Sequence, residues 1–136
     1  MKLRLLWKMI LAFFILTVYS CHTATTDRKD YKEVMRVHDE AMARMGEIYE
    51  LKGQIEELRL EIQDTNKIVL SQTLVASLEK ADEGMMDWMA KFRIPENAED
   101  TQLKAYFAEE QKKVDIVNRD INNAIADAKQ FVKDYK

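Results

Sequence analysis

Two short segments of this chain concentrate side chains that can bind a soft metal ion. The first contains Met35, His38, Met42 and Met45, and the second contains Met85, Met86, Trp88 and Met89. Spacings of three, four and three residues place the first group on one face of a helix. Thioether sulfur and imidazole nitrogen are soft ligands that suit Cu(I) better than hard cations. One hypothesis is therefore a Cu(I) site with ligands His38, Met42, Met45 and Met89, surrounded by Met85, Met86, Trp88 and Tyr106.

The same pattern has two other interpretations. Methionine is a flexible apolar side chain that fills gaps beside aromatic rings, and helical spacing is also what a packed core requires. His38 would then be a half-buried polar residue hydrogen-bonded to a neighbour such as Tyr106. A small hydrophobic ligand is the third interpretation. One histidine with methionines and a tryptophan is similar to the ligand set of small periplasmic copper chaperones, but those are β-barrels, so no position carries over.

The sequence contains no GxSxG, P-loop, GxGxxG or HExxH motif. A Ser–His–Asp arrangement would depend on His38, because the other histidine, His22, adjoins Cys21, and no GxSxG turn presents a serine. Met35 stands three residues before His38, where a di-iron bundle needs glutamate. The acidic residues near the second segment fit a solvated helix face better than a pair of catalytic carboxylates. These residues are Glu79, Asp82, Glu83 and Asp87. We therefore expect a protein that is not an enzyme.

Helical periodicity extends over nearly all of the chain after residue 30. It predicts helices from about Asp30 to Asp64, from about Lys67 to Arg93, and from about Asn97 to Asp134. Pro95 ends the second helix, and Asn97 is the predicted N-cap of the third. Three long helices with short links predict an all-α fold, an antiparallel three-helix bundle preceded by a signal-peptide helix.

Apolar residues at helical spacing identify the faces that we expect to form the core. In the first helix they are Tyr31, Met35, His38, Met42, Met45, Ile48, Ile55, Leu58 and Ile62. In the second they are Leu70, Leu74, Leu78, Ala81, Met85, Trp88, Met89 and Phe92. In the third they are Leu103, Phe107, Val114, Val117, Ile121, Ala124, Ala128, Phe131 and Tyr135. A turn near Thr65 pairs residues of the first two helices whose numbers add to about 131, so Met45 should face Met86 and Met42 should face Met89.

Two glycines adjoin the methionine segments. A glycine inside a helix costs about 1 kcal/mol relative to alanine. Gly46 and Gly84 therefore either allow close approach of the helices or are tolerated surface residues.

The amino terminus has the layout of a secretory signal. Lys2, Arg4 and Lys8 precede an apolar run from Met9 to Tyr19, which is too short for a membrane span of about 20 residues. The junction Val18–Tyr19–Ser20–Cys21 resembles the lipobox of bacterial lipoproteins. In that family the cysteine sulfur receives a diacylglyceryl group, the leader is removed, and the new amino terminus is acylated, commonly with palmitate. We expect a signal peptide at 1–20, lipidated Cys21 with a flexible tether at 21–29, and the bundle at 30–136.

The charge of the mature chain excludes several partners. Removal of residues 1–20 leaves 18 basic and 24 acidic residues, so we expect no nucleic-acid binding. Membrane attachment would come from lipid chains on Cys21, each buried methylene contributing about 0.8 kcal/mol. Cys21 is the only cysteine, so its acylation would leave no thiol for a disulfide or a CxxC metal site.

Two segments of the body, HDEAMARMGEI (38–48) and GMMDWMAKF (84–92), resemble uncharacterised small lipoproteins of Bacteroidota, some labelled "viral A-type inclusion protein". The resemblance implies a cell-envelope location, often the outer membrane, and brings no reaction or ligand. In that group acidic residues soon after the cysteine accompany surface export. The first acidic residue here, Asp27, comes six residues after Cys21, which does not fit that pattern. We therefore expect an outer-membrane lipoprotein that faces the periplasm, with an unknown envelope protein as its partner.

Overall fold

The computed structural model describes residues 23–135; the predicted signal peptide and Cys21 lie outside this range. The helices are α1 (Thr23–Thr26), α2 (Lys29–Met42), α3 (Met45–Glu61), α4 (Thr65–Lys91) and α5 (Asp100–Tyr135). Because α2 and α3 follow one another along one side, the described chain is a bundle of three helical rods without β-strands, which confirms the predicted fold. α1 is a single turn within the predicted tether. None of these helices combines the length and apolarity that crossing a membrane requires.

Two polar contacts fix the register between α3 and α4. The Tyr49 hydroxyl donates to the Asp82 carboxylate at 3.2 Å, and Lys52 Nζ lies 2.8 Å from Glu79 Oε1. In both pairs the residue numbers add to 131, so the predicted antiparallel register is confirmed for this part of the bundle.

Ion pairs join the first rod to α5 in parallel. Arg28, just before α2, pairs with Asp100 at the first residue of α5, and Glu47 in α3 pairs with Lys129. Because residue numbers rise together in these pairs, α2 and α3 run in the same direction as α5. The bundle therefore has an up-down-up topology.

One continuous core runs between Val34 and Val132. The buried apolar residues of α5 are Phe107, Val114, Ile121, Ala124, Ile125, Ala128, Phe131 and Val132, close to the predicted face. In α2 the prediction was wrong by one position, because Val34, Val37 and Ala41 are buried while Met35, His38 and Met42 are only half-buried. Within residues 23–135 these side chains form one cluster that joins α2, α3, α4 and α5.

The start of α4 differs from the prediction in a similar way. Leu70 is 46% exposed, and its neighbour Ser71 is fully buried, with its hydroxyl donating to the Ile68 carbonyl at 2.7 Å. The N-cap is Asp64, whose carboxylate accepts from the backbone N–H groups of Asn66 and Lys67.

The first rod is interrupted at Ala43–Arg44, where the sequence predicted one continuous helix. The Arg44 N–H donates to the Ala41 carbonyl at 3.0 Å, which is the tight three-residue spacing of a 3₁₀ turn. The Arg44 side chain contacts Glu47 at 3.1 Å and also donates to Asn122 of α5. A contact with a neighbouring helix therefore accompanies the break, and neither Ala43 nor Arg44 is a glycine or a proline.

The link between α4 and α5 reverses the chain with one left-handed residue. Asn97 has a φ of 56°, so it lies in the turn and does not cap α5. The Gln102 side chain accepts from the Glu99 N–H at 2.9 Å, which is the backward half of a capping box. The predicted cap at Asn97 was wrong because a left-handed conformation places that residue outside the helix start.

The glycines occupy open positions. A Cβ atom added at Gly46, Gly53 or Gly84 would meet no neighbouring atom within 4 Å. The helices therefore do not approach one another closely at Gly46 and Gly84, and these are tolerated surface glycines.

Candidate functional site

His38 of α2 and Met89 of α4 meet at one end of the bundle. The His38 Nε2 atom lies 3.2 Å from the Met89 sulfur. The His38 side chain is 15% exposed, so solvent reaches the pair only in part. Two of the predicted ligands, 51 residues apart in sequence, are therefore in direct contact.

Asp39 determines what the imidazole presents to Met89. Its carboxylate oxygen lies 2.8 Å from His38 Nδ1. A carboxylate only accepts hydrogen bonds, so when Nδ1 donates to it, a neutral His38 carries its lone pair on Nε2. That lone pair faces sulfur, which is also an acceptor. A proton on Nε2, or a soft cation between the two atoms, satisfies both groups.

The other predicted ligands lie deeper or farther out. Met45 is 6% exposed and Met85 is fully buried, so both are core residues. Met42 is half-buried one turn after His38, where it packs against the core. Met86 is 45% exposed and faces away, although the sequence predicted that it faces Met45.

A row of aromatic rings continues from His38 across this end of the bundle. The Trp88 ring lies 5.6 Å from the imidazole and 5.0 Å from Phe92. Phe92 lies 5.9 Å from Tyr106, and Tyr106 lies 5.3 Å from Phe107 in an edge-on arrangement. Such offset and edge-on ring pairs stabilise a core beyond simple burial, and they hold the helix ends together here.

Tyr106 has a different role from the one predicted. Its hydroxyl accepts from the Arg93 backbone N–H at 2.9 Å, just beyond the end of α4. Burial raises the pKa of the Tyr106 phenol above its ordinary value of 10.0. Tyr106 therefore fastens the end of α4 to α5, and the partners of His38 are Asp39 and Met89.

Glu110 is the residue that sequence reasoning missed. It is 5% exposed, and its Oε2 accepts from the Trp88 indole Nε1 at 3.0 Å. Its other oxygen lies 2.7 Å from Lys113 Nζ. Its position in the sequence could have indicated that it is buried, because Glu110 lies three residues after Phe107 and four before Val114, on the same helix face.

Hard metal ligands do not converge within residues 23–135. No three His, Cys, Asp or Glu side chains in this range are arranged to hold a metal ion. The candidate site is therefore defined by histidine and methionine, with Asp39 behind the imidazole. No protein-family model, curated protein or solved structure matches the chain.

Proposed function

We propose that this chain is a lipid-anchored protein of the bacterial cell envelope whose helical bundle binds or scaffolds another envelope component and catalyses no reaction. The leader and the Val18–Tyr19–Ser20–Cys21 junction support the anchor. The likeness to small Bacteroidota lipoproteins supports a position at the outer membrane, facing the periplasm.

The observation that carries this proposal is the place where the segment after Cys21 joins the bundle. Arg28 is bonded to Asp30 at 2.7 Å and also to Asp100, at the first residue of α5. Cys21 precedes Arg28 by only seven residues. The 36 residues of α5 extend about 54 Å at 1.5 Å per residue. A lipid on Cys21 would hold one end of this rod at a membrane and present its sides and far end to partners.

Metabolic labelling tests the anchor. Cells that express the full chain, Cys21→Ser or the matched control Thr25→Ser are grown with radiolabelled palmitate. We expect label in the wild type and in Thr25→Ser, and none in Cys21→Ser, because only the thiol can carry the diacylglyceryl group. Equal labelling of all three proteins, or an unlabelled wild type, would refute the anchor.

A second candidate function is Cu(I) binding, which the 3.2 Å contact between His38 Nε2 and Met89 Sδ favours. An ion bonded to nitrogen at about 2.0 Å and to sulfur at about 2.3 Å spans this separation with a bent angle. Asp39 would orient the imidazole, as carboxylates do behind metal-bound histidine. Met42, one helical turn after His38, would be the candidate for a third ligand.

Anaerobic competition with a chromophoric Cu(I) chelator tests this candidate. The chain from Thr23 onward is used because it contains no cysteine, so any affinity must come from other ligands. We expect a Kd below about 1 µM, weakened at least tenfold by His38→Ala with Met89→Leu and unchanged by Met86→Leu, which alters an exposed methionine. An equal Kd for all variants would refute the site and leave core packing as the role of these residues.

A further inference from the structure

The outer side of α4 and α5 contains a groove with an apolar floor. Its volume is about 560 Å³, and it extends from Ser77 to Asp87 along α4. The small residues Ala81, Gly84 and Ala124 line its floor, and the two alanines are buried. A Cβ atom added at Gly84 would meet no neighbouring atom within 4 Å, so the groove is open at that position. At 1.5 Å per residue the groove is about 15 Å long, which matches nearly three turns of a docked helix.

The rims of the groove are strongly acidic. Glu83 and Asp87 form one rim and Asp120 and Asp127 form the other, while Lys80 is the only basic residue in the lining. No cation among residues 23–135 forms an ion pair with Glu83 or Asp127. Each rim therefore has one carboxylate, Glu83 or Asp127, that no ion pair within residues 23–135 neutralises.

The other two rim carboxylates, Asp87 and Asp120, form only weak ion pairs. Asp87 is paired with Lys91 at 2.6 Å on its own helix, and Asp120 contacts Arg119 at 3.3 Å. All four of these side chains are more than half exposed, so solvent screens both pairs and a partner can compete for the carboxylates.

An exposed apolar residue adjoins Val117, which lines the groove. Ile116 is 48% exposed and lies four residues before Asp120, on the same face of α5. An apolar strip between two rows of carboxylates complements a helix that has an apolar stripe flanked by lysine or arginine. Helices commonly dock in this way, with apolar anchors in the groove and charges at its edges.

We propose that this groove binds a basic amphipathic helix of a partner protein. The proposal deepens the proposed binding role and rests on it, but it does not depend on lipidation of Cys21. The partner would lie along α4 and α5 as a fourth helix, with its apolar stripe on the floor and its cations beside Glu83 on one rim and Asp127 on the other.

Two synthetic peptides serve as probes. One is a helical 18-residue peptide of Leu, Ala and Lys with leucines on one face, and the other has Glu in place of every Lys. Each is titrated into the chain from Thr23 onward, and thermal melts first establish that every variant is folded. We expect the Lys peptide to bind with a Kd below about 1 mM, binding to weaken as salt increases, and the Glu peptide not to bind.

Two variants and their controls test the location. Gly84→Leu fills the floor and should weaken binding of the Lys peptide more than tenfold. Gly53→Leu, at an exposed open position of α3, should not change the Kd of this peptide. The double variant Glu83→Gln with Asp127→Asn should weaken binding of the Lys peptide about fivefold, as expected for the loss of two exposed charge pairs. The control double variant Glu57→Gln with Asp134→Asn should leave this binding unchanged.

Three outcomes would overturn the proposal. The first is absence of binding by the Lys peptide, and the second is equal binding by all variants. The third is self-association of the chain that Gly84→Leu abolishes, because the groove would then bind a second copy. Each outcome is independent of the palmitate experiment, so failure of the groove is distinguishable from failure of the anchor.

Discussion

The buried hydrogen bond between Trp88 and Glu110 gives the sharpest stability prediction. The indole Nε1 donates to Glu110 Oε2 at 3.0 Å, where Trp88 is 6% exposed and Glu110 is 5% exposed. Glu110→Ala would leave the indole N–H buried without an acceptor. Glu110→Gln would keep an oxygen at the same position and lose only the charge.

The expected magnitudes follow from this geometry. A buried donor without a partner costs about 1–3 kcal/mol, and the lost side-chain volume adds to that cost. We expect Glu110→Ala to lower the free energy of unfolding by about 2–4 kcal/mol and Glu110→Gln by about 1 kcal/mol or less. Lys113→Ala, which removes the exposed partner of Glu110, should have a smaller effect than Glu110→Ala.

Urea denaturation followed by tryptophan fluorescence measures these differences. Trp88 is the only tryptophan in the chain from Thr23 onward, so its emission reports directly on the site. Equal stability of Glu110→Ala and Glu110→Gln would contradict this prediction, because the indole N–H would then not require the acceptor.

Three further predictions concern the helices and the joint at Arg28. Gly53→Ala should raise the free energy of unfolding in urea by about 1 kcal/mol, since its Cβ meets open space inside α3; an unchanged midpoint would contradict this. Asp64→Ala should lower it by about 1 kcal/mol, because the α4 N-cap bonds would be lost, whereas Asp64→Asn should retain most of the stability. Hydrogen bonds from Arg28 lower the pKa of Asp30 below its ordinary value and that of Asp100 to about 2. The unfolded chain therefore binds protons more readily, so the free energy of unfolding, which is complete above about pH 4, should fall as the pH approaches 2. Asp100→Asn should make this loss shallower. Urea midpoints measured at several pH values would contradict the prediction if they fell equally in both proteins.

Periodicity was sufficient for the architecture. The spacing of apolar residues predicted three rods and their order. The turn near Thr65 predicted the register that Tyr49 with Asp82 and Lys52 with Glu79 confirm. These features depend on regular repetition over many residues, so a shift of one position in one helix does not change them.

The details of α2 required the tertiary structure. Val34 and Val37 form one helix face, and Met35 and His38 form another one position later, with the same spacing in both. Only the packing of α2 against its neighbours selects the valines as core and leaves His38 at the edge. That choice brings the imidazole next to Met89 and Asp39.

The break at Arg44 and the buried Glu110 share a different cause. Each is satisfied by a residue distant in sequence, Asn122 for Arg44 and Trp88 for Glu110. Local propensity carries no information about such partners. Charged residues inside an otherwise apolar stripe, as at Glu110, are the signal that sequence reading can use.

Mass spectrometry of the amino-terminal tryptic peptide tests the lipid anchor most directly. The protein is extracted from membranes of cells that express the full chain. We expect a peptide that begins at Cys21 and ends at Arg28, with the added mass of a diacylglyceryl group and an amide-linked acyl chain. An unmodified peptide from Met9 to Arg28, with the leader still attached and Cys21 as a free thiol, would contradict it.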